Sequence, residues 1–212
     1  MNEEMRQKMN QILVLFAHPA FQKSRVNRAL VEHVRDLPGV VFNDLYEAYP
    51  DFNIDRAREQ ELLSQSDVII LQHPFFWYST PSILKEWQDL VLEHGWAYGS
   101  EGKALAGKRL LNSLTTGGRE SAYQEDGLNR FTIRQLLAPI EQTAHLCGMD
   151  FLAPFVVHGT HRMEGEEIER HARDYRRFVE ALRDDRLDLE RSRKVARVNL
   201  EMDSLIRSET EQ

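Results

Sequence analysis

Cysteine is nearly missing: the 212-residue chain has one, Cys147. A single thiol closes no internal disulfide, which fits a reducing, cytoplasmic setting. It lies in AHLCGMDF among apolar neighbours and reads as a buried structural thiol rather than a nucleophile. No apolar run approaches the roughly 20 residues that span a bilayer, and the opening MNEEMRQKMN is polar and acid-bearing, unlike a signal peptide. Positive charge is not in excess: 27 Lys and Arg against 34 Asp and Glu give −7, which argues against a general nucleic-acid binder. There is no glycine-rich dinucleotide fingerprint and no P-loop lysine, and neither Ser113 nor Ser121 sits in a G-x-S-x-G elbow. His158 and His161, in HGTHRM, have no cysteine or acid cluster beside them and read as loop histidines rather than metal ligands. What remains is the composition of one ordinary α/β domain, 42% hydrophobic and 29% charged.

The pattern alternates strand and helix. ILVLFA (12–17) is a buried strand, followed by SRVNRALVEHVRDL, where Val26, Ala29, Leu30, Val34 and Leu37 share a helical face behind Ser24 as N-cap. Pro38-Gly39 ends that helix, and VVFNDL (40–45) is a second strand. REQELLSQS is a helix capped by Asn53 or Asp55, and DVIILQ (67–72) is a third strand. Thr80 and Pro81 are expected as N-cap and first residue of the next helix, with Ile83, Leu84, Trp87, Leu90, Val91 and His94 on its buried face. RLLNSLTT is a fourth strand; 132–147 is a helix interrupted near Pro139; FLAPFVVHG (151–159) is a fifth strand. EGEEIERHARDYRRFVEALRDD is an amphipathic helix. Five strands alternating with helices imply right-handed crossovers and a flavodoxin-like parallel sheet in the order 2-1-3-4-5. The expected organisation is a polar tail over 1–10, a domain over 11–184 and a helical extension over 185–212 whose last residues fray. In that extension Val195, Val198, Met202 and Leu205 form a narrow stripe, suited to packing on another subunit or back on the body.

In such a sheet, ligands bind beyond the carboxyl ends of the strands, where strand order reverses. After the first strand, AHPAFQKSRVN leads into a helix N-terminus with Ser24, Arg25, Val26 and Asn27, whose free amides suit a phosphate; taken alone, Ser24 is equally a plain N-cap and His18 a structural histidine. After the third comes HPFFWYSTP, with Pro74, Phe75, Phe76, Trp77 and Tyr78. After the fourth comes TTGGRESAY, where Gly117 and Gly118 allow close approach of a ligand. An anion cradle, an aromatic wall and a glycine edge would match a phosphate on a flat heterocycle such as FMN; the alternative is an aromatic mini-core under a loop.

AHPxxxxSxxN, LYEAYPDFNID, QHPFFWYSTPSILKEWQD, HGWAYG and TTGGRESAY resemble the flavodoxin-fold NAD(P)H:quinone reductases, and more narrowly the ancillary proteins of glutathione-gated potassium-efflux (Kef) systems, from about Gln11 to Phe178. The resemblance implies a dimer that binds FMN, or alternatively FAD. It implies two-electron, ping-pong transfer from NAD(P)H to a quinone, and association with a membrane potassium-efflux antiporter from its cytoplasmic side. It assigns His18 and Ser24, Arg25, Val26 and Asn27 to the flavin phosphate and ribityl chain. Pro74, Phe75, Phe76, Trp77 and Tyr78 fall against the isoalloxazine ring, and Thr115, Thr116, Gly117 and Gly118 along its other edge. Tyr123, with Gly117 and Gly118, is assigned to catalysis, stabilising charge on the reduced ring. Where the diaphorase branch has a histidine six residues on, this chain has Asn129, which cannot titrate. Two other readings stay open: a regulatory subunit of the antiporter with incidental redox activity, and a one-electron carrier like flavodoxin.

Overall fold

The computed structural model describes residues 9–207. Its centre is β1 (Ile12–Phe16), buried along its whole length as a parallel strand covered on both faces must be. β2 (Val40–Asp44), β3 (Val68–Pro74) and β4 (Arg109–Thr115) pair parallel with it or with one another, and β5 (Asp150–Phe151) completes the order β2-β1-β3-β4-β5. α1 (Arg25–Val34) and α7 (Gly165–Arg183) cover one face, joined in a core by Val26, Leu30, Ile168, Tyr175 and Phe178. α2 (Leu45–Ala48), α3 (Arg56–Gln65), α4 (Ser82–Val91), α5 (Ile133–Leu136) and α6 (Ala138–Leu146) cover the other, around Leu15, Ile69, Leu84 and Trp87. All strands point the same way, so every loop after a strand emerges at one edge.

The expected fifth strand is in fact two pieces, β5 and β6 (Phe155–Val157), both parallel to β4. Leu110 pairs with Phe151 and Ser113 with Phe155, so three steps along β4 face four along its partner. The extra residue makes a bulge beside Pro154, which has no N–H for the ladder. The α4 helix starts one position later than expected, with Pro81 as N-cap; Leu90 is 40% exposed and His94 lies beyond the helix, in solvent. Asp55 is the cap of α3. The interrupted helix breaks at Leu137, with Pro139 at the second position of α6, and Thr132 and Gln135 form a capping box ahead of α5.

The C-terminal stripe is not one helix. It runs as α8 (Leu189–Lys194), a 3-10 turn (Val198–Leu200) and α9 (Met202–Leu205), and Val198, Met202 and Leu205 are buried against the α7 face. At the other end, Asn10 joins the fold by donating its backbone N–H to Arg183 O at 2.8 Å and its side-chain amide to Leu182 O at 2.7 Å. The first eight residues of the expected tail, and 208–212 where fraying is expected, lie outside the described residues. Among the described residues no helix is long and apolar enough to cross a membrane.

Candidate functional site

The loop after β1 turns through His18, whose Nδ1 accepts from Ala20 N at 3.1 Å, and enters α1 at Ser24. Ser24 Oγ accepts from Asn27 N (3.3 Å) and Asn27 Nδ2 (3.1 Å), fixing the first turn. The amides of Arg25 and Val26 meet no acceptor among the described residues, which leaves a helix N-terminus receptive to an anion. Asn27 is 1% exposed, and its Oδ1 has no hydrogen-bond partner among the described residues. A buried amide oxygen left bare is costly and marks a place where a donor from outside the protein is wanted. Burial lowers the pKa of His18, against the effect of its backbone hydrogen bond, so the ring is neutral at pH 7.

After β3 the chain makes a tight turn. Phe76 and Ser79 bridge, Ser79 N donates to Phe76 O at 2.9 Å, and the central residues Trp77 and Tyr78 have φ of 49° and 64°. Both lie in the left-handed region, the signature of a type I′ turn that usually takes Asn-Gly. Two bulky aromatics there strain the backbone, a feature concentrated at functional sites. The four aromatics divide: Phe75 is buried, Phe76 and Tyr78 are about half-exposed, and Trp77 is 92% exposed. Tyr78 OH donates to Asn129 Oδ1 at 3.2 Å. Thus Asn129 occupies the expected relay position with an acceptor that holds the turn.

After β4, Thr116 Oγ1 donates to Gly118 O at 2.8 Å and lies 3.0 Å from His158 Nδ1. Since the hydroxyl has one hydrogen, His158 supplies the other from Nδ1 and is the Nδ1–H tautomer. Its pKa falls from 6.5 to about 4, first by burial and then by the charge of Arg197, so the ring is neutral. Gly159 N donates to Gly118 O and Thr160 N to Thr116 O, which staples the loop after β6 to the loop after β4. A side chain at Gly117 would collide with the His161 ring, and a Cβ at Gly118 would come within 3.1 Å of Tyr123 Cε2. Tyr123 is buried between Phe75 and His158, with ring centroids 6.3 and 5.5 Å away. Burial raises its pKa, opposed by the Thr116 hydroxyl, so its O–H stays protonated.

These loops enclose a cleft of about 470 Å³, within the usual range for a small ligand. His18, Ser24, Arg25, Val26, Asn27, Pro74, Phe75, Phe76, Thr115 and Gly117 line it, together with Ala20, Lys23, Thr160 and His161. Trp77, Tyr78, Thr116, Gly118 and Tyr123 do not line it: the turn carries the first two outward, and the others stand behind Gly117 or beside it. Thr160 and His161 were legible only as a loop after the last strand; applying the strand-end rule there as well would have brought them in. A neighbouring recess of about 780 Å³ shares Gly117 and His161 with the cleft and adds Arg119 and Arg162. The acids in that recess are already engaged, Glu120 by Arg197 and Glu167 by Arg170, whereas Arg119 and Arg162 form no ion pair among the described residues.

A bare acceptor, free helix-start amides, a flat apolar wall and a glycine edge fit the phosphate, ribityl chain and ring of FMN.

The chain matches the flavodoxin-like fold family over residues 10–179. It is 46% identical over 164 residues to the glutathione-regulated potassium-efflux system ancillary protein KefG of Enterobacter sp. (strain 638), covering 77% of this chain and 90% of that protein. Among solved structures, general stress protein 14 of Treponema denticola in complex with FMN aligns with a TM-score of 0.76 and 36% identity, covering 81% of this chain and 99% of that one. An NADPH-quinone reductase from P. pentosaceus aligns with a TM-score of 0.72 and 31% identity, covering 79% and 96%. The chain therefore belongs to the flavodoxin-like fold family, in the company of KefG and the NAD(P)H-quinone reductases.

Proposed function

We propose that the protein is an FMN-dependent NAD(P)H:quinone oxidoreductase that works by two-electron, ping-pong transfer. The observation that carries this is the unpartnered Asn27 Oδ1 beside the free amides of Arg25 and Val26, in a cleft closed by Phe76 and Gly117. Bound FMN would supply two-electron redox chemistry between NAD(P)H and a quinone. Arg25 N, Val26 N and Ser24 would hold its phosphate, and Asn27 Oδ1 would take a ribityl hydroxyl. Pro74, Phe75 and Phe76 give the ring an apolar wall with little water. The amides of Gly117 and Gly118, which have no acceptor among the described residues, are placed to stabilise negative charge at the edge of the ring. Tyr123, kept protonated by burial, backs that edge as a donor. FMN is favoured over FAD because it is the flavin in the T. denticola relative. Arg119 and Arg162 suit the phosphates of the nicotinamide dinucleotide.

The outward-facing Trp77, Tyr78, Leu128 and Phe131 form an exposed apolar group around the Tyr78–Asn129 hydrogen bond. Such a surface calls for a partner, and we assign it to a homodimer. The likeness to KefG supports a role as an ancillary activator of a potassium-efflux antiporter, docking on its cytoplasmic side. A reading as a regulatory subunit with incidental turnover draws on the same likeness and on Asn129, which offers no titrating relay.

One experiment separates these readings. The purified protein should be yellow, be bleached by NADPH under anaerobic conditions, and regain colour on adding a quinone. Failure to take up FMN on reconstitution would overturn the proposal; flavin uptake without bleaching would favour the regulatory subunit.

A further inference from the structure

Residues beyond 179 lie outside the family match, yet the chain brings them back to the candidate site. The anchor is the free side of β6. Val198 N donates to Pro154 O at 3.0 Å, and Asn199 brackets Val156, accepting from its N at 3.1 Å and donating to its O at 2.9 Å. Val198 is fully buried, and Ala153 N donates to Ser192 O, so the arm also satisfies the backbone freed by the bulge. Arg197 leaves this anchored arm from an extended backbone and meets Glu120 at 2.6 Å, with only 13% of its side chain exposed. Glu120 opens the 3-10 turn Glu120–Ala122 and accepts from Tyr123 N at 2.9 Å through its carbonyl. A small cavity of about 130 Å³ is walled by Glu120, Tyr123, His158, Arg197 and Leu200.

We propose that Arg197 is a positioning residue: through its ion pair with Glu120, the C-terminal arm holds the turn that sets Tyr123 against Gly118 and His158. This rests on reading residues 115–123 as the flavin edge. An exposed ion pair contributes little, because ordering two long side chains offsets the attraction. Here Arg197 is largely buried and its backbone is pinned by its neighbours, so much of that ordering is already complete. The same guanidinium also helps keep His158, which lies 3.0 Å from Thr116 Oγ1, neutral. Arg197 thus acts on the glycine edge by direct pairing with the turn that carries Tyr123.

The test uses Arg197→Gln, Glu120→Gln, the double variant and Arg197→Lys in the full chain. In protein stripped of flavin, amide hydrogen exchange over residues 119–124 should quicken by about tenfold in either single variant, the loss of one charge-assisted hydrogen bond. Exchange in β1 and β3 should not change. The double variant should be no faster than the singles, and Arg197→Lys should restore most of the protection. With FMN bound, the same variants should shift the flavin's visible spectrum and midpoint potential and lower kcat for the quinone more than they raise its KM. Unchanged exchange over 119–124, or effects that add in the double variant, would overturn the link between arm and turn. Faster exchange with an unaltered flavin spectrum and potential would overturn the positioning role. Glu120→Gln reports even if Arg197→Gln fails to fold, since Glu120 is half-exposed. If the wild type takes up no FMN, the flavin reading fails, while exchange still decides whether the arm holds the turn.

Discussion

Asn27, in the first turn of α1, donates its side-chain amide to Thr115 Oγ1 at the end of β4 across a buried 2.9 Å hydrogen bond. β1 and β4 do not pair; β3 lies between them. This bond therefore ties two sides of the strand-order switch together, and it turns Asn27 Oδ1 into an acceptor with nothing to accept. Asn27→Asp keeps the shape, removes the donor to Thr115 and places a carboxylate in the anion cradle. FMN affinity should fall by about 10- to 100-fold, as expected for losing a buried hydrogen bond and adding repulsion. Titration of apoprotein by quenching of FMN fluorescence measures this, and an unchanged Kd would remove Asn27 from the site.

The Trp77-Tyr78 turn holds two bulky residues at positive φ. Replacing them together with Asn-Gly should raise stability by about 1–3 kcal/mol through relief of strain. The same change should weaken self-association, because 92%-exposed Trp77 is lost from the apolar surface. Urea denaturation and sedimentation equilibrium read the two effects separately. A stable variant that is still fully dimeric would show that this turn is not the interface.

Glu59 is 0% exposed and accepts from Asn43 Nδ2, Tyr49 OH, Trp87 Nε1 and Arg58 Nη1. Burial, followed by the bond to Glu59, pushes the Tyr49 hydroxyl up to about 12. Glu59→Ala leaves four donors facing a void and should cost about 3–5 kcal/mol. The Tm should drop with little change in FMN affinity per folded molecule, since none of these residues lines the cleft. A loss under 1 kcal/mol by chemical denaturation would contradict the network's role.

Folded His158 stays neutral down to about pH 4, whereas an unfolded histidine takes its proton near 6.5. Between those values the unfolded chain binds more protons. Stability is therefore full above pH 6.5 and falls toward pH 4, by roughly 1.4 kcal/mol per pH unit from His158 alone. His18, His73 and His171 are lowered in the same direction, each chiefly by burial, and steepen the decline. Denaturant midpoints at pH 7.5, 6.0 and 5.0 should decrease in that order; a flat profile would mean that His158 is protonated without cost.

Strand order and the placement of the site were legible because continuous apolar runs such as Ile12–Phe16 belong to parallel strands, and parallel strands put their following loops at one edge. Ser24 as a cap was legible from local chemistry. The split last strand was not, since the bulge at Pro154 depends on register against β4. The Val195–Leu205 stripe does pack back on the body, as its spacing allowed, but helical spacing says which residues are apolar together and not that the chain is recruited as short turns by the open side of β6.

Local sequence thus determined the layered α/β fold, the direction of its strands and the segments that meet at their ends, because periodicity and turn chemistry act over a few residues. Only the tertiary structure decided that Trp77 faces outward while Phe75 is buried, that His158 and His161 back the glycine edge, and that Arg197 reaches Glu120. Those relations join residues far apart in the chain, and packing in three dimensions, not local preference, selects which of them meet.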